Sequence, residues 1–170
     1  MPRHDAVASK YNEAVTIALA KLAETRLFYN YREGQLGTDR LRQHERSARM
    51  MAQLAKCQEG DILVIPAQVG LHYRGRSVRR AREVFQDHEF GLGSFAICCI
   101  LLTHPERLVH WEQLHVDCAG DEYAPGAVGV FDRAPYFVFD GGKVRFGTNF
   151  VDEANGCYGS ASAFLPPRTT

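Results

Sequence analysis

The segment YFVFDGGKVRF, residues 136–146, carries the strongest local structural signal in the chain. Two runs of aromatic and β-branched residues flank Asp140, Gly141 and Gly142, and glycine tolerates the backbone angles that a tight hairpin turn requires. The segment therefore predicts a β-hairpin. This places an antiparallel pair of strands in the C-terminal half of the chain.

The N-terminal third has helical periodicity. Apolar residues recur at spacings of three and four from about residue 5 to 32, and again from about 39 to 56. These two patterns predict helices that pack on each other as a helical hairpin. Shorter helical patterns follow at about 77–85, 94–102 and 103–113, and Ser77 is suited to cap the first of these three.

The remaining strand patterns are short. The β-branched run 62–65 predicts a buried strand, and 114–118 and 160–165 predict two more. We therefore expect an α+β fold with an N-terminal helical hairpin, central short helices, and a small, mainly antiparallel sheet weighted to the C-terminal half.

A length of 170 residues suits one domain with its own core. Because no repeat or linker interrupts the sequence, we expect a single globular domain over residues 1–170. Its helical part covers about 5–57, its mixed α/β part covers about 58–165, and residues 166–170 form a loose tail.

Apolar runs and cysteines indicate a cytoplasmic protein. The most apolar run, 95–102, is far shorter than the about 20 residues that cross a membrane, and no secretory signal is visible, so we expect no membrane partner. The five cysteines are odd in number, without a CxxC pair or a zinc-ligand spacing, so we expect reduced thiols.

The formal net charge of zero conceals an asymmetry along the chain. Residues 1–85 contain 15 basic and 9 acidic side chains, whereas residues 86–170 contain 5 basic and 11 acidic ones. The halves therefore carry +6 and −6. Such a distribution is typical of proteins that contact polyanions, although the two halves would also neutralise each other if they pack together.

Two groups of arginines, in residues 42–49 and 74–82, contribute to the positive charge of the first half of the chain. Guanidinium groups bind phosphates in a bidentate manner, and a neighbouring ring at Tyr73 is suited to stack on bases. We predict a nucleic-acid or ribonucleoprotein binding module, without a cofactor and largely independent of base sequence. The predicted contact residues are Arg42, Arg46, Arg49, Tyr73, Arg74, Arg76, Arg79, Arg80 and Arg82.

A different function is indicated by the acidic stretch after the 114–118 strand. Period-two alternation places His115 and Asp117 on one face of that strand, and Asp121 and Glu122 follow in the loop. Carboxylates and imidazole in this position are suited to bind a divalent metal or to act as acid and base. The alternative prediction is a metal-dependent hydrolase that uses these four residues, although they match neither an EF-hand loop nor HExxH.

A third hypothesis is a protein-interaction module whose acidic half binds a basic partner. The sequence matches no RNP1, zinc-finger or GXXG pattern that would settle the choice. Whether the chain is an enzyme is therefore left open by the residues alone.

Overall fold

The computed structural model describes residues 1–126 and 129–166, which form an α+β fold. Its described helices are α1 (Tyr11–Thr25), α2 (Glu45–Cys57), α3 (Val78–Val84) and α4 (Ser94–Thr103). Its described strands are β1 (Phe28–Asn30), β2 (Leu41–Gln43), β3 (Ala67–Gln68), β4 (Glu89–Gly91), β5 (His115–Asp117), β6 (Asp121–Tyr123), β7 (Arg133–Asp140), β8 (Lys143–Phe150), β9 (Tyr158–Ser160) and β10 (Ser162–Phe164).

The predicted hairpin is the centre of a seven-stranded main sheet. β7 and β8 pair along their whole length, and the turn residues Gly141 and Gly142 have φ angles of 57° and 75°. The strand order is β1-β8-β7-β5-β9, and β6 pairs with β7 and with β2. Two pairings, β1 with β8 and β5 with β9, are parallel, so the sheet is larger and more mixed than the sequence predicted. Antiparallel pairings still predominate.

A second sheet joins β3, β10 and β4 in antiparallel order. Residues of both sheets contribute to one large apolar cluster with α1 and α4. Phe137, Phe146 and Val116 lie on the side of the main sheet that faces these helices, and all three are fully buried. We call the opposite side the outer face.

The packing of the helices differs from the expected helical hairpin. Two strands, β1 and β2, separate α1 from α2 in the chain, and α1 packs mainly on α4. Both N-terminal helices are also shorter than expected, because β1 follows α1 and β2 precedes α2, while His4–Ala6 before α1 form a separate 3-10 helix. α4 is buried nearly all round, so it offers α1 more apolar surface than the arginine-rich α2 does.

Thr103 is the last residue of α4, and residues 104–113 form turns and bends instead of the predicted helix. Leu108 is fully buried and has a φ of +53°, which a right-handed helix cannot contain. The side chain of Gln113 binds the backbone of Val109 and Glu106, so these groups are satisfied without helical hydrogen bonds. Burial of Leu108 therefore outweighs the local helical pattern.

The predicted strand at 62–65 is also wrong. The side chain of Gln58 accepts from the N–H of Val64 and donates to the carbonyl of the same residue, and Leu63 exchanges backbone hydrogen bonds with Met1. Only Leu63 is fully buried, while Ile62 and Val64 are exposed. The single β-contact here is the bridge between Pro2 and Ile62.

No helix within the described ranges is long and apolar enough to cross a membrane. Cys98, Cys99 and Cys118 are buried and, like the other two cysteines, are not in disulfides. Most of the predicted loose tail, residues 167–170, lies outside the described residues.

Candidate functional site

α3 carries the densest group of predicted contact residues and begins as the sequence indicates. The hydroxyl of Ser77 accepts a hydrogen bond from the backbone N–H of Arg80 at 3.2 Å, which caps the helix. Val78 and Ala81 are buried against the outer face of the main sheet, in a small apolar cluster with Ala134 and Ala119. The arginines between these apolar positions therefore point away from the sheet.

One contact places the arginines of α2 beside the end of α3. The guanidinium of Arg46 donates to the backbone carbonyl of Gln86, just after α3, and lies 6.0 Å from the ring centre of Phe85. Arg49 follows three residues later on the same side of α2. The two arginine groups that are distant in sequence are thus neighbours in the fold.

Arg42 does not belong to the helical stripe that the sequence predicted. It lies on β2, where its guanidinium binds Glu122 at 2.8 Å and covers the ring of Phe131 at 3.7 Å. The helix begins later than expected, at Glu45, because residues 41–43 pair with β6.

We refer to Arg42, Arg46, Arg49, Arg74, Arg76, Arg79, Arg80 and Arg82 together as the arginine surface. Three of them pair with carboxylates. These pairs are Arg42 with Glu122, Arg79 with Asp152, and Arg80 with Glu83. Two of the three carboxylates belong to the acidic half of the chain, as expected if the halves partly neutralise each other.

The other members of the arginine surface form no ion pair with a described carboxylate, although Arg82 is partly buried and lies near Glu122 and Asp121. Arg46, Arg74 and Arg82 bind backbone carbonyl oxygens, which order the guanidinium without cancelling its charge. Arg49 and Arg76 form no ion pair with any described residue, and Arg76 lies 5.8 Å from the ring centre of Tyr73. Five of the eight arginines therefore lack a carboxylate partner among the described residues.

Tyr73 is not placed for base stacking. Its side chain is only 2% exposed, and its hydroxyl donates to Glu89 at 2.6 Å. The carboxylate of Glu89 also accepts from the hydroxyl of Ser162 at 2.5 Å. The ring is part of the small core under α3, where its aromatic surface is more stable than in water.

The four residues of the alternative hydrolase do not converge on one point. His115 and Asp117 lie on the outer face, Glu122 binds Arg42, and Asp121 is on the helical side of the sheet. No group of three or more His, Cys, Asp or Glu in residues 1–126 and 129–166 is arranged to hold a metal ion. These four side chains therefore do not surround one common metal position.

Asp121 has a structural role. Its carboxylate accepts from the backbone N–H of Ser94, the first residue of α4, at 2.6 Å, and from the hydroxyl of Tyr11 at 2.7 Å. Burial raises the pKa of Asp121 to about 6 in spite of these donors. The side chain acts as a cap for α4.

Asp117 differs from Asp121 because no hydrogen bond reaches its carboxyl group from the described residues. It lies in a narrow cleft between the start of α3 and the outer face, with Asn149, Glu153, Asn155 and Tyr158 among the lining residues. The space is about 10 Å³, enough for about one water molecule. Burial raises the pKa of Asp117 to about 7, so this carboxyl titrates near neutral pH.

His115 lies beside Asp117 with its ring fully buried between Trp111 and Tyr158. Both ring centres are 4.8 Å away in edge-to-face geometry, and neither ring nitrogen has a hydrogen-bond partner in the described structure. Burial lowers the pKa of His115, which favours the neutral ring.

Sequence reasoning missed the tyrosines on the outer face. Tyr29 and Tyr31 lie where the helical pattern of about 5–32 breaks, and Tyr136 lies in the predicted hairpin, so neither pattern indicates a shared face. The alternation of Tyr29 and Tyr31 about Asn30 is a period-two signal that would have placed both rings on one face of a strand.

Comparisons of the chain with protein families, with curated proteins and with solved structures found no match. The function is therefore argued from the geometry and charge of the residues described above.

Proposed function

We propose that this chain binds nucleic acid, alone or in a ribonucleoprotein, by contacting phosphates through the arginine surface. The observation that carries the proposal is the contact of Arg46 with Gln86 and Phe85. It brings the arginines of α2 beside those of α3, so that two weak sequence signals become one basic surface.

The charge of this surface supports the proposal. Ion pairs with carboxylates occupy three of the eight arginines, and the arginines without an ion pair among the described residues outnumber them. Guanidinium groups that are already held by backbone carbonyls lose little conformational freedom when they bind a phosphate. The surface is thus both positive and partly ordered before binding.

The mechanism is neutralisation of phosphates with release of their condensed counterions. Each arginine that binds a phosphate contributes about 0.9 to the slope of log affinity against log salt for duplex DNA. Tyr73 is buried, so its ring is not available for stacking on bases. We therefore expect little base preference from this surface.

The test compares two variants with the same change in charge. Arg49→Gln/Arg76→Gln removes two arginines that have no ion pair in the described structure, so the fold should be retained. Lys21→Gln/Lys143→Gln is the control, on α1 and at the β7–β8 turn. Binding to labelled DNA and RNA is measured by fluorescence anisotropy over a range of salt concentrations.

We expect the arginine variant to lower the salt slope on duplex DNA by about 1.8, whereas the lysine control leaves it nearly unchanged. Equal slopes for both variants would show that binding does not occur at this surface. Absence of binding by the unmodified protein at low salt would refute the proposal altogether.

A further inference from the structure

The strand β1 forms an open edge of the main sheet. The backbone carbonyl of Leu27 and the backbone N–H of Tyr31 both bind β8. Backbone groups alternate in direction along a strand, so those of Phe28 and Asn30 point away from the sheet. Among the described residues, the N–H and C=O of Phe28 and the N–H of Asn30 have no hydrogen-bond partner, and the C=O of Asn30 accepts one bond, from Glu33 at 3.4 Å. Such backbone groups are a template for pairing with another strand.

The opposite edge of the main sheet, β9, is covered by the chain itself. The outward carbonyl of Tyr158 accepts from the backbone N–H of Gly75 at 2.9 Å. The outward carbonyl of Ser160 accepts from the side chain of Gln68 at 2.9 Å. The fold therefore satisfies the outward carbonyls at one end of this sheet and leaves the backbone of β1 exposed at the other end.

The side chains of β1 and its neighbours add an apolar surface to the open edge. Leu27, Tyr29 and Tyr31 alternate with the inward-facing residues, so they lie on the outer face, and they are 75%, 50% and 43% exposed. Natural sheets protect exposed edges with charged residues, proline or bulges. The segment 27–31 contains neither a charged residue nor a proline. Its composition fits a strand that a partner strand covers.

The two arginines that flank this segment are turned toward their own chain. Arg26 donates to the backbone carbonyls of Pro105 and Arg107 at 2.6 and 2.9 Å. The guanidinium of Arg32 lies 5.3 Å from the ring centre of Tyr123. Because both guanidinium groups have partners within the fold, they do not repel a second strand at the open edge.

The β1 edge is complementary to itself. When two copies pair in antiparallel orientation about a two-fold axis at Tyr29, Phe28 lies opposite the partner's Asn30, and this pair exchanges two backbone hydrogen bonds. The same pair recurs on the other side of the axis, so every outward backbone group of both strands is satisfied. On the outer face, Tyr29 lies opposite the partner's Tyr29, and Leu27 lies opposite the partner's Tyr31. Cross-strand pairs of aromatic and apolar side chains stabilise a sheet.

The inner side of the open edge has space for a second strand. A groove of about 450 Å³ lies between α1 and β1, and the α1 side chains that line it include the small residues Thr16, Ala20 and Ala23. In the antiparallel arrangement the partner's Phe28 lies opposite Asn30, on the side of the sheet where this groove opens. The groove is larger than a phenyl ring, so it accommodates the ring of the partner's Phe28 beside α1.

We propose that the chain forms a two-fold symmetric homodimer in which the β1 strands of two copies pair in antiparallel orientation about Tyr29. The main sheets of the two copies then form one continuous sheet. This interface is independent of the proposed nucleic-acid function, because β1 carries no member of the arginine surface.

The oligomeric state of the full chain tests the proposal. Sedimentation equilibrium is measured from about 1 to about 500 µM protein, because a short interface gives a dimer whose population depends on concentration. We expect a reversible equilibrium between monomer and dimer. Amide hydrogen exchange, followed by NMR, should become slower at Phe28 and Asn30 as the dimer forms, because their N–H groups are then hydrogen-bonded.

Charge substitutions at Tyr29 test the register of the pairing. Tyr29→Lys and Tyr29→Glu each place like charges directly opposite each other on the two-fold axis, and each should weaken the dimer about tenfold or more. A mixture of the two variants places opposite charges there, so it should restore dimers at a concentration at which neither variant dimerises alone. The control is Val64→Lys, which introduces the same charge at an exposed apolar residue outside β1 and should dimerise like the unmodified protein.

Three results would overturn the inference. The first is a monomer over the whole concentration range. The second is a dimer that both Tyr29 variants leave unchanged, and the third is a mixture of these variants that restores no dimer. A monomer that binds nucleic acid through the arginine surface would refute the dimer alone, whereas a dimer that binds no nucleic acid would refute the proposed function alone.

Discussion

Asp117 and Asp121 are the same residue type four positions apart, yet their carboxyl groups have different surroundings. Asp121 accepts hydrogen bonds from Ser94 and Tyr11, whereas no described residue donates to Asp117. Burial raises the pKa of Asp121 to about 6 and that of Asp117 to about 7. Without a donor, nothing offsets the cost of placing the charged form of Asp117 in the cleft.

This difference predicts a pH-dependent stability. A carboxyl whose pKa is raised on folding binds its proton more tightly in the folded protein, so its contribution to the free energy of unfolding falls as pH rises from about 4 to above 7. Asp117→Asn cannot ionise. We expect it to be about 1–3 kcal/mol more stable than the unmodified protein at pH 8, and similar at pH 4.

Urea unfolding at both pH values measures this difference. The control is Asp87→Asn, which changes an exposed aspartate. A stabilisation of Asp117→Asn that is equal at pH 4 and pH 8 would mean that ionisation of Asp117 is not its cause.

At the scale of elements, the caps of two helices show what local sequence can reveal. α3 is capped by Ser77, its immediate neighbour, and the sequence predicted that cap. α4 begins after Gly93, which has no side chain, and its cap is Asp121, which lies 27 residues beyond Ser94. A Cβ atom on Gly93 would lie 2.2 Å from the Asp121 carboxylate, so glycine makes room for the distant cap.

The two caps should differ in their effect on stability. Asp121→Ala leaves the buried N–H of Ser94 and the hydroxyl of Tyr11 without their acceptor, and we expect a loss of about 2–4 kcal/mol. Ser77→Ala removes a cap from a more exposed helix, for which about 1 kcal/mol is expected. Urea unfolding of both variants compares them, and an equal loss would contradict the role of Asp121 as a buried cap.

Other elements show where local patterns fail. In the β-branched run 62–65, Val64 binds the side chain of Gln58 and Leu63 binds Met1 in place of a strand ladder, and residues 104–113 turn where Leu108 enters the core. In both places, a contact with residues outside the local hydrophobic pattern determines the backbone conformation. The 136–146 hairpin was predictable because its two strands and its turn are adjacent in the sequence.

At the scale of the whole molecule, pairing between distant segments decides the architecture and the sites. β1 pairs with β8 across more than a hundred residues, and Arg42 reaches Glu122. The sequence revealed the residues of the arginine surface, but not that Arg46 would join α2 to the end of α3. It also did not reveal that Tyr29 and Tyr136, which come from β1 and β7, lie on the same face of the sheet.

The central claim is that the arginine surface binds phosphates, and the salt dependence of nucleic-acid binding tests it most directly. If Arg46, Arg49, Arg74 and Arg76 each bind one phosphate, affinity for labelled duplex DNA should fall about 100-fold between about 50 and about 200 mM salt. This result, measured by fluorescence anisotropy, would support the claim. Absence of binding at about 50 mM salt, or an affinity that does not change with salt, would contradict it.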